Sequence, residues 1–551
     1  MMPWHERSRG YDPIDCHRKQ QSISVNPGTT PTVGSTTLTG TRAEPQRGLA
    51  KTAARGTGLT TIQVVVNKLA TVGSMWVVAL QLSPDEIGMA SLALALWNYL
   101  VFLPPLTLGD VLVAHQRRFD LVAPVVRRMA LMIGLGAGAL MVLLAPLMAT
   151  FYSQYPASRL IALLWILALR PIADALCPVA LASLRRDLRY GSIALADGSI
   201  QLVATISTVV MALAGASVFA MVVPQAVATF AKAFAYWKVS RPAPQPTYAV
   251  PAWIRRRVRA VIWRDTLLAG FAQYAHNLVI LLPLVVLGHL STENQTGLYG
   301  FAFMLSAQAN GLVASQLGTV LQPIFGRLGQ DPARQAEAFL RVLRTIGSVA
   351  VPMTLVQAAV ARPLFELVLE PKWAMAIPVF AVLSVLEGFY FATAPTMSLL
   401  RAQRRFGAYF GWQVTHLAVA TLVFSLVAAD HGALGVAVAS LVCWAVSLLT
   451  AVWLCGRPTG RSVWESVRVF AEPWCVGLPI GLATWWASET LVLHGAWGSA
   501  VAIGCVGPAA FVLCIVLMRW TSPAAWRDLG PLIGAVVARA SRRPRGMRAT
   551  P

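Results

Sequence analysis

Apolar runs of about twenty residues recur along most of this chain, parted by short polar gaps, and that pattern leaves few folds open. A helix of about 20 residues crosses the roughly 30 Å hydrocarbon core of a bilayer. In lipid a helix or a closed barrel is required, because every backbone polar group must be satisfied internally. Of 551 residues, 56% are hydrophobic and only 12% charged, against about a quarter charged in soluble domains. The runs predict an all-α polytopic membrane protein of about fourteen spans, near 58–81, 87–108, 129–152, 160–182, 191–213, 216–237, 266–289, 297–320, 341–366, 374–397, 408–428, 432–455, 473–493 and 496–518.

The gaps alternate in charge. One set carries "HQRRFD", "RRDLRY", "RPAPQPTYAVPAWIRRRVR", "GRLGQDPARQ", "RAQRRFG" and "GRPTGRSVWESVR"; the other carries "SPDE", "SQYPASR", "STEN", "LEPK" and "DH". Basic loops mark the cytoplasmic side, so both termini are expected there. The net charge of +22 is explained by these loops and does not call for nucleic acid. Five cysteines sit inside apolar runs as small hydrophobes, and no spacing suggests a metal site. No catalytic constellation or cofactor motif is present. The outer gaps are too short to hold an extramembrane domain. Residues 1–50, rich in Gly, Thr, Ser and Pro, lack the charged start and apolar core of a signal peptide and read as a disordered cytoplasmic tail.

Internal similarity organises the rest. "LSPDEIGMASLALALWNYLVFLPPLTLGD" and "LSTENQTGLYGFAFMLSAQANGLVASQLGT" each space two glycines by 21, Gly88 to Gly109 and Gly297 to Gly318. Downstream, "LRRDLRYG" (Leu184–Gly191) and "LRAQRRFG" (Leu400–Gly407) both read L-R-x3-R-[YF]-G. The offsets are 209 and 216, so spans one to six and seven to twelve are expected to be copies. Two pseudo-symmetric six-helix lobes around a central cavity follow, related by an axis along the membrane normal. The expected parts are an N-lobe over 51–237, a basic linker over 238–264 with an interfacial helix at "AWIRRRVR", and a C-lobe over 265–456. Two C-terminal helices over 457–520 and a basic cytoplasmic tail over 521–551 complete the chain.

Polar side chains at mid-span mark the candidate site, since a charge at the bilayer centre costs several kcal/mol unless paired or wet. Counting from span ends puts Asn67, Lys68, Arg170, Asp174, Gln273, His276 and Asn277 near one level, with Gln308, Asn310, Glu387 and His416 close by. Lys68, Arg170 and His276 converging on a hydrated cleft would suit an anion, and arginine grips phosphate bidentately. Asn67, Asn277 and Gln273 would add hydrogen bonds. Asp174 and Glu387 are the candidates for proton or sodium coupling. Plainer readings stand beside these. Arg170 and Asp174 can form an i,i+4 ion pair between turns, Lys68 can snorkel, and His276 and His416 can be interhelical hydrogen bonders. Gln201, Gln225, Asn98 and Asn310 read as helix–helix contacts.

The stretches quoted above, with "LASLRRDLRYGSIALADGSIQLVATISTVVMALAGASVFAMVV" and the segment Phe365 to Gly388, resemble the polysaccharide (Wzx-like) flippases of the multidrug/oligosaccharidyl-lipid/polysaccharide exporter superfamily. The resemblance spans roughly residues 50–455. It implies two lobes rocking about a cationic cavity, and a polyprenyl-pyrophosphate-linked glycan carried from the inner to the outer leaflet of a bacterial inner membrane without covalent chemistry or cofactor. Membrane lipids and glycan polymerase or assembly proteins are the partners it implies. The resemblance leaves a lipid II flippase and a drug/cation antiporter open. The antiporter would want a more acidic lobe. From another class, a membrane glycan polymerase or ligase, or an assembly scaffold, would use the same lipid-linked sugars.

Overall fold

The structure, a computed structural model, describes residues 66–101, 119–187, 189–240, 252–313, 331–403, 405–456 and 462–521, with scattered positions between them. The predicted tail at 1–50, and residues 528–551 of the one predicted at 521–551, lie outside the described residues. Every described element is helical. Along the N-terminal half run α1 (66–81), α2 (Pro84–Leu100), α3 (Phe119–Phe151), α4 (Ala157–Leu167), α5 (Leu169–Leu176), α6 (Pro178–Arg186), α7 (Tyr190–Leu213) and α8 (Phe219–Val239). Then follow α9 (Ala252–Leu290), α10 (Glu293–Val313), α11 (Pro332–Ala359), α12 (Ala361–Val368), α13 (Ala376–Tyr390), α14 (Thr393–Ala402) and α15 (Phe406–Gly456). The chain closes with α16 (Val463–Val492), α17 (Gly495–Val501), a π-turn at Ala502–Val506 and α18 (Gly507–Thr521).

Among the described residues, seven helices are long and apolar enough to cross a membrane, and the bent pair Ala157–Asp174 and Pro178–Arg186 makes an eighth. One of the seven, Gly407–Cys455, has 49 residues and would reach about 73 Å if straight. It does not stay straight, because Gly432 at φ 53° and ψ −142° folds it into two arms. The surface fits lipid. On α16, exposed Trp464 and Trp486 stand about 33 Å apart at 1.5 Å per residue, the separation of the two aromatic belts of a bilayer. Exposed Leu478 and Leu482 lie between them.

The linker boundary differs from expectation. The expected break near residue 264 is absent, and α9 runs unbroken from Ala252 to Leu290. "AWIRRRVR" is therefore the first two turns of the same helix that carries the expected seventh span at 266–289, since nothing in 252–290 but Pro283 interrupts a good helical sequence.

The repeat read in the sequence is also a repeat of contacts. Ser83 Oγ accepts the Glu86 N–H at 3.3 Å and the Glu86 carboxylate accepts the Ser83 N–H at 2.9 Å, a capping box that starts α2. Its counterpart 209 residues on, Thr292, accepts the Gln295 N–H at 3.3 Å and starts α10. Glu86 then accepts from Ser217 Oγ in the turn before α8, and Gln295 Oε1 accepts the Ala433 N–H at 2.8 Å in the turn within α15. Both turns need a positive φ, 52° at Ser217 and 53° at Gly432.

The arginine motif has an equally physical reason. Arg189 Nη1 donates to Val239 O at 2.9 Å and Arg405 Nη1 donates to Leu454 O at 2.6 Å. Each guanidinium thus satisfies a carbonyl at the C-terminal end of the lobe's last helix, where a cation complements the helix dipole. The backbone turns match as well, Arg189 N–H to Leu184 O and Arg405 N–H to Leu400 O at 2.9 and 3.0 Å.

Candidate functional site

The helix turns at Leu82–Pro84, Leu213–Phe219, Leu290–Glu293 and Val368–Ala376 meet at one end of the bundle, the Ser83 end, where the lobes are bound tightly. Lys372 Nζ donates to Leu80 O at 3.0 Å, Trp373 Nε1 to Ala79 O at 2.9 Å, and Trp76 Nε1 to Val368 O at 2.6 Å. Between them α2 and α10 touch backbone to backbone. A Cβ on Gly297 would stand 1.8 Å from Pro84 O, and one on Gly88 2.3 Å from Glu293 O. These two glycines are the pair matched at offset 209, so the twin halves meet through equivalent positions. Such close approach requires glycine.

A second set of inter-lobe bonds lies deeper. Tyr99 Oη donates to Leu278 O at 2.7 Å, and Tyr274 Oη donates to Tyr99 O. Tyr99 is 15 positions along from Pro84, about 23 Å from the Ser83 end.

Between the two sets is a cavity of about 300 Å³, walled by α1, α2, α7, α8 and α10. Its polar wall consists of Thr71, Ser74, Gln201, Thr205, Thr208, Gln225 and Gln308. Lys68, one turn before Thr71 on α1, extends Nζ to Gln308 Oε1 on α10 at 3.0 Å, so a charge from one lobe is held by the other. Gln308 is oriented for this, because its Nε2 is already spent on Met304 O at 2.8 Å and faces Met75 Sδ at 3.7 Å. Lys68 also interacts electrostatically with Glu387. That carboxylate is 4% exposed and lines a separate cavity of about 170 Å³ in the C-terminal half with Tyr299, Tyr390, Ser440 and Trp444. Ala307 borders both cavities.

The remaining sequence candidates are not gathered at this point. Arg170 and Asp174 both lie on α5, a two-turn piece of a span that bends by 41° between Asp174 and Pro178. The broken helix turns the Arg170 guanidinium over the Trp97 ring, 4.1 Å from its centroid, instead of into a direct ion pair with Asp174. Asp174 faces the Lys232–Asp197 pair, which closes at 3.0 Å. Arg170 thus belongs to the interior of its own lobe, and the convergence with Lys68 expected from depth alone is absent.

His276 is likewise held within its lobe. Its Nε2 bonds Tyr390 Oη at 3.0 Å, and the Trp444 ring stands edge-on to it at 6.1 Å. His416 Nδ1 bonds Ser447 Oγ at 2.9 Å and meets the same Trp444 at 4.7 Å. The plainer reading of both histidines, as interhelical hydrogen bonders, is the one the geometry supports. Asn67 and Asn277 are half-buried beside Lys68 and His276. The side chains of Gln273 and Asn310 lie outside the described residues.

Sequence reasoning missed two groups. Gln201 and Gln225 face the cavity instead of gluing helices, and their amides find no hydrogen-bond partner among the described residues. Gln308 was noted for its depth, but not as the partner of Lys68. The capping-box spacing S/T-x-x-E/Q was the available signal for the turns that shut the Ser83 end.

Residues 77–378 match the profile of a family described as polysaccharide biosynthesis protein. The succinoglycan biosynthesis transport protein ExoT of Rhizobium meliloti (strain 1021) is 24% identical over 458 residues, 81% of this chain and 88% of that protein. Among solved structures, the lipid II flippase MurJ in an inward-closed conformation covers 86% of this chain and 99% of its own at TM-score 0.64 and 11% identity. An inward-facing multidrug resistance MATE family transporter of the MOP superfamily covers 72% and 96% at TM-score 0.54 and 14% identity. At such identities the likeness is one of fold: an all-helical transporter fold of two lobes.

Proposed function

Since this chain belongs to the polysaccharide biosynthesis protein family, we propose that it is a flippase, moving a polyprenyl-pyrophosphate-linked glycan across a bacterial inner membrane by alternating access. The observation that carries the reading is the Lys68–Gln308 bond, a cation shared between lobes at the edge of a polar cavity. A lone ammonium at mid-membrane is costly. Water and a passing pyrophosphate offset that cost, and charge-assisted bonds to phosphate oxygens are strong. The basic loops support an orientation with the Ser83 end outside and both termini in the cytoplasm. The contacts of that end then form the outer gate, and Tyr99 with Tyr274 the inner one. Headgroup and glycan occupy the cavity while the prenyl tail stays in lipid.

The matching relative is a succinoglycan transport protein, which supports export of a polysaccharide precursor over lipid II or drug transport. Transport needs no covalent step. Deleting the gene should make a lipid-linked glycan accumulate on the cytoplasmic leaflet, read by its resistance to an external glycosidase in intact spheroplasts. Unchanged glycan export in the deletion strain defeats the proposal.

We assign ion coupling to Glu387, which is buried beside the cavity and in electrostatic reach of Lys68. Asp174, within electrostatic reach of Arg170 and Lys232, is the lesser candidate. Export in membrane vesicles should stop when a protonophore or a sodium ionophore removes the driving gradient, and Glu387→Gln should no longer follow that gradient. A Glu387→Gln protein whose export still tracks it would defeat the assignment.

A further inference from the structure

Two unpartnered amides in the cavity wall point to what it recognises. Gln201 on α7 and Gln225 on α8 are half-buried, line the cavity, and have no hydrogen-bond partner among the described residues. An unpaired amide at membrane depth is unfavourable unless water or a ligand satisfies it. The neighbouring groups are hydroxyls. Thr205 donates to Gln201 O at 2.8 Å, which leaves its oxygen free to accept, and Ser74 faces in from α1. Phe301 gives an apolar surface on the α10 side. Among the described residues, no charged side chain lines this cavity.

The groups are arranged in depth. At 1.5 Å per residue, Gln225 lies about 9 Å and Gln201 about 18 Å below the Ser83 end, counted from Phe219 and Leu213, while Lys68 lies about 21 Å below Leu82. The cation therefore sits beneath the amides. A pyrophosphate at Lys68 would send the attached sugar upward among amides, hydroxyls and one aromatic face. Primary amides both donate and accept, as sugar hydroxyls do. A carboxylate there would lose its water and meet no cation. The cavity, at about 300 Å³, is at the small end of ligand pockets, roughly 300–1,000 Å³. It suits the first part of a glycan, not a whole long repeat.

Resting on the flippase reading above, we propose that Gln201 and Gln225 form a recognition site for an uncharged sugar adjoining the pyrophosphate, and that this site discriminates against acidic sugars.

The test is equilibrium binding to the full chain in lipid nanodiscs, with three probes: undecaprenyl pyrophosphate, the same carrier bearing a neutral disaccharide, and the same carrier bearing a disaccharide that begins with a hexuronic acid. The unaltered protein should bind the neutral glycolipid about tenfold tighter than the sugar-free carrier, the equivalent of one or two net hydrogen bonds. The acidic glycolipid should gain nothing. Gln201→Leu with Gln225→Leu should lose the tenfold increment yet still bind the sugar-free carrier, which also reports that the variant is folded. If the double variant loses the sugar-free carrier too, the two single variants decide, each expected to lose part of the increment. An increment that survives both substitutions, or an equal increment for the acidic probe, overturns this inference and leaves the flippase reading intact. Failure of the unaltered protein to bind any of the three overturns both.

Discussion

Gly297→Ala is expected to abolish export while the protein still reaches the membrane at normal level. The added Cβ would lie 1.8 Å from Pro84 O, and the obstructing atom is backbone, which no rotamer change relieves. Ordinary carbon contacts lie near 3.5 Å, so α2 and α10 must part by about 1.7 Å along their first turns. The core at this seam is shared, with Ile87 and Leu298 in one buried cluster, but the clusters around Leu163 and Phe339 each lie within one half, so folding is largely spared and closure of the outer gate is not. Gly88→Ala, at 2.3 Å from Glu293 O, should act the same way with a milder loss. A Ser74→Cys reporter in the cavity wall should be protected from an impermeant thiol reagent added outside the unaltered protein and labelled in the Gly297→Ala background, with the exposed Cys475 and Cys505 first replaced by alanine. Normal export together with continued protection would show that the glycine contact is not a gate.

That gate was half legible in the sequence. In the sequence the pairing of Gly88 with Gly297 speaks for duplication, through similar turns at a constant offset. What the pairing does follows from a fact that no single segment contains: a two-fold relation brings equivalent positions near its axis into contact with each other. The same holds for L-R-x3-R-[YF]-G, whose second arginine caps the helix fifty residues further on. Local patterns showed that the halves are alike, and only the packed lobes show which copies touch.

For the site, residue counts along apolar runs give Lys68, Arg170 and His276 an expected depth but no azimuth. Which way each faces depends on packing and on breaks. The span holding Arg170 is cut at Ala168 and again before Pro178, so its face cannot be extrapolated from a continuous 3.6-residue period. Gln201 and Gln225 were read as helix glue for the same reason: an amide inside a bundle satisfies either role, and the choice between a neighbour and a cavity is made by tertiary contacts. Charge drew notice to Arg170 and His276, while the neutral residues that line the cavity carried no such mark.

Lys68→Met follows from that separation of roles. With Arg170 stacked on Trp97 and His276 bonded to Tyr390, Lys68 is the cation at the cavity edge, and its removal is not backed up by the others. Methionine keeps the unbranched apolar stem and costs little in packing, and Gln308 Oε1, open to the cavity, is left to water. The loss is therefore one of phosphate binding. A hydrogen bond to a charged group is worth about 1.5–3 kcal/mol, which is roughly a ten- to hundredfold fall in transport of lipid-linked glycan by proteoliposomes at limiting substrate. Lys68→Arg should restore part of it, because the guanidinium also meets phosphate, though its wider fork no longer matches the single Gln308 oxygen. Arg170→Met should instead lower the amount of folded protein with little change in transport per molecule, since it strips a stacking partner from Trp97 inside one lobe. If the two methionine variants exchange these phenotypes, the anion is held inside the N-terminal lobe and the cavity between the lobes is not its path.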